Sequence, residues 1–221
     1  MKKKRLYGIG GGLLVIFILF TVLVKTVHVE PIGPEGSSVG FAKLNGAVAQ
    51  AIGVHMAWYK LTEVLGYLAI LVALIFVIVA LVQCVKCGGP RKVDRDLKAL
   101  ILLYIVVIIF YAIFEVAIVN YRPVLMDGVL EASYPSSHTM LVICVMASSL
   151  RMFRTRFRNR TVRLGAEGLA VLILVLTVVG RLVSGVHWFT DIIGGVLLGA
   201  ALTTLYYGLV TKKPRPRHPA A

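Results

Sequence analysis

The sequence is poor in charge, in cysteine and in repetition. Charged side chains make up 15% of its 221 residues, and only ten are acidic. Three cysteines offer little to build with. Cys84-x2-Cys87 lacks the second ligand pair that a structural zinc site needs, and it reads as two free thiols at a membrane edge. Cys144 lies in an apolar run and is assigned to packing. No repeat of fixed period is present, which argues against solenoids and arrays. No ring of repeated polar residues suggests a pore.

What the chain does have is hydrophobicity. Apolar residues make up 58% of it, against about 45–50% in typical soluble domains, and the mean hydropathy is +0.87. Several runs exceed the ~18–20 apolar residues that cross a bilayer. The expected fold class is therefore all-α: an integral membrane six-helix bundle forming a single domain over 1–221. The spans fall at about 6–24, 61–83, 99–119, 139–157, 164–183 and 191–210. The first apolar stretch is longer than the usual core of a signal peptide, and no small-x-small cleavage site follows it.

The formal charge of +14 invites a nucleic-acid reading, which its distribution excludes. Nineteen of the 24 Lys and Arg fall in four clusters: Lys2 to Arg5, Lys86 to Lys98, Arg151 to Arg163 and Lys212 to Arg217. The clusters alternate with the remaining cations along the series of spans. That asymmetry is the positive-inside pattern. It places both termini and the clusters in the cytoplasm, beside anionic lipid. The partners expected are membrane lipids, with no nucleic acid and no assignable oligomeric state. The short loops suit a bacterial plasma membrane.

Between the first two spans, Pro31, Gly33, Pro34 and Gly36 break structure. Ser37 or Ser38 is then placed to cap a short helix. Phe41, Leu44, Val48, Ala51 and Ile52 recur at helical spacing, with Lys43, Asn45 and Gln50 between them. This is the pattern of an amphipathic helix in the membrane interface, serving as a lid or as a plain connector. Trp58 and Tyr59 suit the headgroup level. The clean apolar run of the fourth span, Thr139 to Leu150, is only 12 residues. That is about 18 Å against a ~30 Å core, so the helix is expected to continue through Arg151 and Arg154. Gly195-x3-Gly199 in the last span permits close helix contact.

Three polar islands stand at span ends, all on the extracytoplasmic side by this topology: Arg122-Pro123, Pro135-Ser136-Ser137-His138, and Arg181-x5-His187-x3-Asp191. Titratable groups at membrane depth are expensive, so their clustering points to function. Arg122 and Arg181 offer planar donor forks that match phosphate oxygens. The turn before the fourth span presents free N–H groups and a positive dipole end, and Ser136 and Ser137 add hydroxyls. The bland reading of that turn, an ordinary serine N-cap, leaves His138 unexplained. His187 and Asp191 are four apart, so a helix would let the carboxylate hold one ring N–H. The other nitrogen is then a nucleophile for phosphorus. His138 supplies the leaving-group proton, and the two arginines neutralise the transferring group.

These islands resemble the signature of the phosphatidic acid phosphatase type 2 superfamily: Lys-x6-Arg-Pro, Pro-Ser-Gly-His and Ser-Arg-x5-His-x3-Asp. The resemblance runs from Glu115 to Asp191. It implies phosphate binding by Arg122, Ser136, Ser137 and Arg181, with His138 as acid, His187 as nucleophile and Asp191 as its partner. It also implies no metal or other cofactor, and a lipid phosphate or pyrophosphate substrate of undecaprenyl, phosphatidylglycerol or phosphatidic acid type. Three positions depart from the signature: Glu115 stands for Lys, Ser137 for Gly and Gly180 for Ser. Glu115 is the largest change, an anion for a cation. It either tunes the site, by pairing with an arginine or selecting a positive or hydroxyl-rich head group, or weakens it. The alternatives to hydrolysis are a phosphotransferase and a non-catalytic lipid-phosphate binder or transporter.

Overall fold

A computed structural model describes residues 2–211 of the chain. The basic cluster from Lys212 onward lies outside the described residues. Seven α-helices follow in order: α1 (Lys2–Thr26), α2 (Ala42–Ile52), α3 (Met56–Lys86), α4 (Arg95–Val116), α5 (Ser137–Arg156), α6 (Arg160–Val183) and α7 (Phe189–Val210). Among the described residues, no strand longer than an isolated bridge is present.

Five of these helices, α1, α3, α4, α6 and α7, are long and apolar enough to cross a membrane. The expected fourth span, α5, is not among them. Its ion-paired end and its interior serines lower its hydropathy, yet its 20 residues reach about 30 Å at 1.5 Å each. The reason is position: α5 sits inside the bundle against α3, α4, α6 and α7. Ten of its residues are buried, including Ser148 and Ser149, which bond to the Val145 carbonyl. A helix walled by protein has no need of a lipid-compatible surface. Its far end does continue through the arginines. They are paired, Arg151 with Asp96 (3.1 Å), Arg154 with Glu167 (3.0 Å) and Arg156 with Asp94 (3.0 Å).

The second central element is α7. Of its apolar window 56% is buried, against 17–22% in the other four candidate spans. Close packing on α5 follows from the small residues of α7. A Cβ added at Gly195 would stand 2.8 Å from the Ser136 carbonyl, and one at Gly199 2.9 Å from Ile143 Cβ. The Gly195-x3-Gly199 spacing therefore carries the α5–α7 crossing, which sets the start of α5 beside the start of α7.

The helices extend beyond the apolar runs that mark them. The second span starts at Met56 rather than 61, because Trp58, Tyr59 and Lys60 are hydrogen-bonded into α3 despite their polarity. The expected serine cap for α2 is not formed. Ser37 closes a short 3₁₀ turn over Pro34–Gly36, and the residue before α2 is Phe41 in a left-handed conformation. Asn45 of α2 is fully buried. Its amide donates to the Gly40 carbonyl (2.7 Å) and to Thr190 Oγ1 (3.0 Å), and its oxygen accepts from Thr190 N (3.2 Å). Together with the His55 N–H donated to the Ser184 carbonyl (3.0 Å), this pins 42–55 across the α6–α7 turn.

Candidate active site

The three polar islands meet at one end of the bundle. The chain leaves α4 and runs antiparallel to itself, with Arg122 N donating to the Glu131 carbonyl (2.9 Å) and Ser133 N to the Asn120 carbonyl (2.9 Å). It then enters α5 through Tyr134, Pro135 and Ser136. A cavity of about 510 Å³ opens here, and Arg122, Ser137, His138, His187 and Glu115 all lie on its wall. Ser136 sits behind that wall. Its N–H donates to the Asp191 carbonyl (2.9 Å) and its hydroxyl accepts from Thr139 (3.0 Å). Its side chain makes no cap to α5, so the ordinary N-cap reading does not describe this turn. The first intrahelical bond runs from Met140 N to the Ser136 carbonyl (3.0 Å), leaving the N–H groups of the first turn free for an anion.

His187 lies in the turn before α7, 5% exposed. Its Nε2 faces Arg122 Nη1 at 3.3 Å. A guanidinium only donates, so Nε2 is the acceptor and the ring proton sits on Nδ1. Burial, then the charges of Arg122 and Arg181, push the imidazole well below its usual range and hold it neutral. The expectation of a shared helical face with Asp191 is not met, because α7 begins after His187. Asp191 Oδ2 lies 3.7 Å from His187 Nδ1, beyond hydrogen-bond length. With the ring neutral, the two are not an ion pair. That oxygen accepts from Trp188 N (2.9 Å) and Oδ1 accepts from Asn120 (3.1 Å). Asp191 thus caps α7 and fastens the α4–α5 loop to it.

Arg181, near the end of α6, is fully buried, and none of its three guanidinium nitrogens has a hydrogen-bond partner among the described residues. It lies over the Tyr59 ring, 5.0 Å from the centroid, and the Tyr59 hydroxyl donates to Glu63 (2.7 Å). An unpaired buried guanidinium is costly, and a bound anion would relieve it. Gly180 is explained by packing: a Cβ there would come within 2.6 Å of Thr62 Cγ2 and 3.1 Å of the Trp58 ring. The hydroxyl missing at this position has given its space to α3.

Glu115 is exposed on the cavity rim and pairs with neither arginine. The carboxylate on Arg122 belongs to Glu131, at 2.9 Å. Sequence reasoning assigned Glu131, Asn120, Tyr59 and Asn45 no role in the site. A second cavity of about 470 Å³, lined mainly by apolar side chains of α3, α4 and α5, shares Tyr111, Ser137, His138 and Met140 with the first.

A family model described as the PAP2 superfamily matches residues 100–215, slightly over half of the sequence. The chain belongs to the PAP2 superfamily. The matched region holds α5, α6 and α7 and every residue of the three islands. A PAP2 fold is also found in the crystal structure described as the first transmembrane PAP2-type phosphatidylglycerolphosphate phosphatase from Bacillus subtilis. It is similar to this chain with a TM-score of 0.62 and 18% identity, over 90% of this chain and 94% of that one. At that identity the likeness is one of fold. No individually curated protein matches the sequence.

Proposed function

We propose that the protein is a metal-independent phosphatase of lipid phosphates or pyrophosphates, acting at the extracytoplasmic face of a bacterial plasma membrane. In this reading α1 and α3 to α7 all cross the bilayer, α2 lies in the interface, and both termini are cytoplasmic. The observation that carries the reading is His187 Nε2, deprotonated and 3.3 Å from Arg122 Nη1, on the wall of a cavity that also holds His138.

Nε2 attacks phosphorus while the bond from phosphorus to the ester oxygen breaks. His138, at the start of α5, gives its proton to the departing alkoxide. Arg122 and Arg181 offset the charge on the equatorial oxygens. As the ring of His187 becomes cationic, Asp191 at 3.7 Å stabilises it. Water, deprotonated by His138, then attacks the phosphohistidine, and inorganic phosphate and free His187 result. Lipid specificity is supported by the apolar cavity that meets the polar one at His138, and by the lipid phosphate named for the Bacillus subtilis structure.

The test is phosphate release from a panel of lipid mono- and diphosphates by the purified full-length chain. Activity undiminished by EDTA and lost in His187→Ala and in His138→Ala is expected. Undiminished turnover by His187→Ala would reject the nucleophile, and loss in EDTA would reject metal independence.

A further inference from the structure

The charge on the cavity wall is wrong for a plain phosphate. Among the described residues lining the polar cavity, Arg122 is the one Lys or Arg, and two carboxylates, Glu115 and Glu131, line it too. Glu131 is spent on Arg122. Glu115 makes no ion pair among the described residues, and the Tyr111 hydroxyl is its neutral polar neighbour. Arg181 behind the wall brings the set only to neutrality, whereas a phosphate monoester carries about −1.5 to −2 near pH 7. A dianion beside a free carboxylate at the membrane edge is repelled. The balance is restored by a positive charge on the ligand. The wall around Glu115 suits one, because Tyr111 and Glu115 are four apart on α4 and share a face. Phe114 and Tyr121 line the same space. Carboxylate plus aromatic ring is the chemistry that recognises an ammonium.

We propose that Glu115, with Tyr111, is a specificity determinant selecting lipid phosphates that carry an ammonium group beside the phosphate. The phosphate meets Arg122, the first turn of α5 and His187, while the ammonium meets Glu115. This rests on the phosphatase reading above and adds the head-group class to it. It also gives the Glu at the signature's Lys position a purpose: where the signature has a cation, this site has an anion to meet a cation on the ligand.

The experiment compares 2-aminooctadecyl phosphate with 2-hydroxyoctadecyl phosphate, which differ only in that substituent, using full-length protein in lipid nanodiscs. The quantity read is the ratio of kcat/KM for the amine over the alcohol. A preference of about tenfold is expected in the parent chain. The ratio falls to near one in Glu115→Gln and inverts in Glu115→Lys, and Tyr111→Leu lowers it about threefold. The same ratio in the parent and in Glu115→Gln overturns the proposal, as does a parent that prefers the alcohol. Equilibrium binding of the two lipids to His187→Ala, followed by the combined fluorescence of Trp58 and Trp188, reads the same preference without turnover. Selective binding of the amine with no turnover by the parent upholds head-group selection while sinking the phosphatase reading. Turnover without selectivity does the reverse.

Discussion

The two ends of the bundle treat arginine in opposite ways. At the end where α5 finishes, Arg151, Arg154 and Arg156 each meet a carboxylate, and all three are at least 31% exposed. At the end where α5 begins, Arg181 is fully buried with every nitrogen unpartnered, and Arg122 shares a carboxylate but keeps Nη1 turned to His187. The paired end reads as anchorage, where each interaction is worth little and is screened by salt. The unpaired end stores an unmet electrostatic demand that a ligand can meet. A buried cation without a partner marks a site more sharply than the count of cations does.

The contrast can be broken most severely at His187. His187→Ala is expected to lower kcat by at least about 10⁴-fold in the phosphate-release assay, since the proposed mechanism has His187 as its nucleophile and uses His138, the other imidazole of the cavity, as its acid. Arg181→Met sharpens it. Activity should fall by about 10²- to 10³-fold, while the ligand-free protein gains about 1–4 kcal/mol from losing an unpaired buried charge. Thermal unfolding without ligand checks the second half, and a lower Tm would contradict it. Gly180→Ser restores the signature hydroxyl but meets Thr62 and Trp58, so a loss of about 1–3 kcal/mol is expected from the same unfolding curve.

Acid should also separate the two ends. His187 is held neutral in the fold, below the unfolded value of about 6.5. The unfolded chain then binds the extra proton first, so stability is full above about pH 6.5 and declines as pH falls below it. His187→Gln should flatten that part of the Tm-versus-pH curve. The smallest effect belongs to the paired end: Arg154→Ala is expected to change stability and turnover by no more than about 0.5 kcal/mol, and a larger loss would show that the anchoring ion pairs act as a network.

Much of this was legible in the sequence because membrane burial makes polar residues conspicuous. Arg122, His138, Arg181, His187 and Asp191 stood out against apolar runs, and their convergence followed from the order of the spans. The supporting contacts were hidden for a different reason. Asn120 meets Asp191 across 71 residues and Asn45 meets Thr190 across 145, and a neutral amide carries no mark of its distant partner. Glu131 went unassigned because its target, Arg122, was given to the substrate. Apolarity also understated α5, whose surroundings are protein and whose helix is recognised only by carrying it past Leu150 into the arginines, and it shortened α3 by omitting the polar first turns that lie against Gly180.

His138 stands on the partition between a wet chamber and an oily one, since both cavities share it. An ester must straddle that partition for its bridging oxygen to reach the imidazole. On the proposed phosphatase reading, sugar phosphates and nucleotides have no half that belongs in the oily chamber and would not be seated. Discrimination against the soluble phosphate pool would then arise from where the proposed acid stands, with no need for a residue that rejects them.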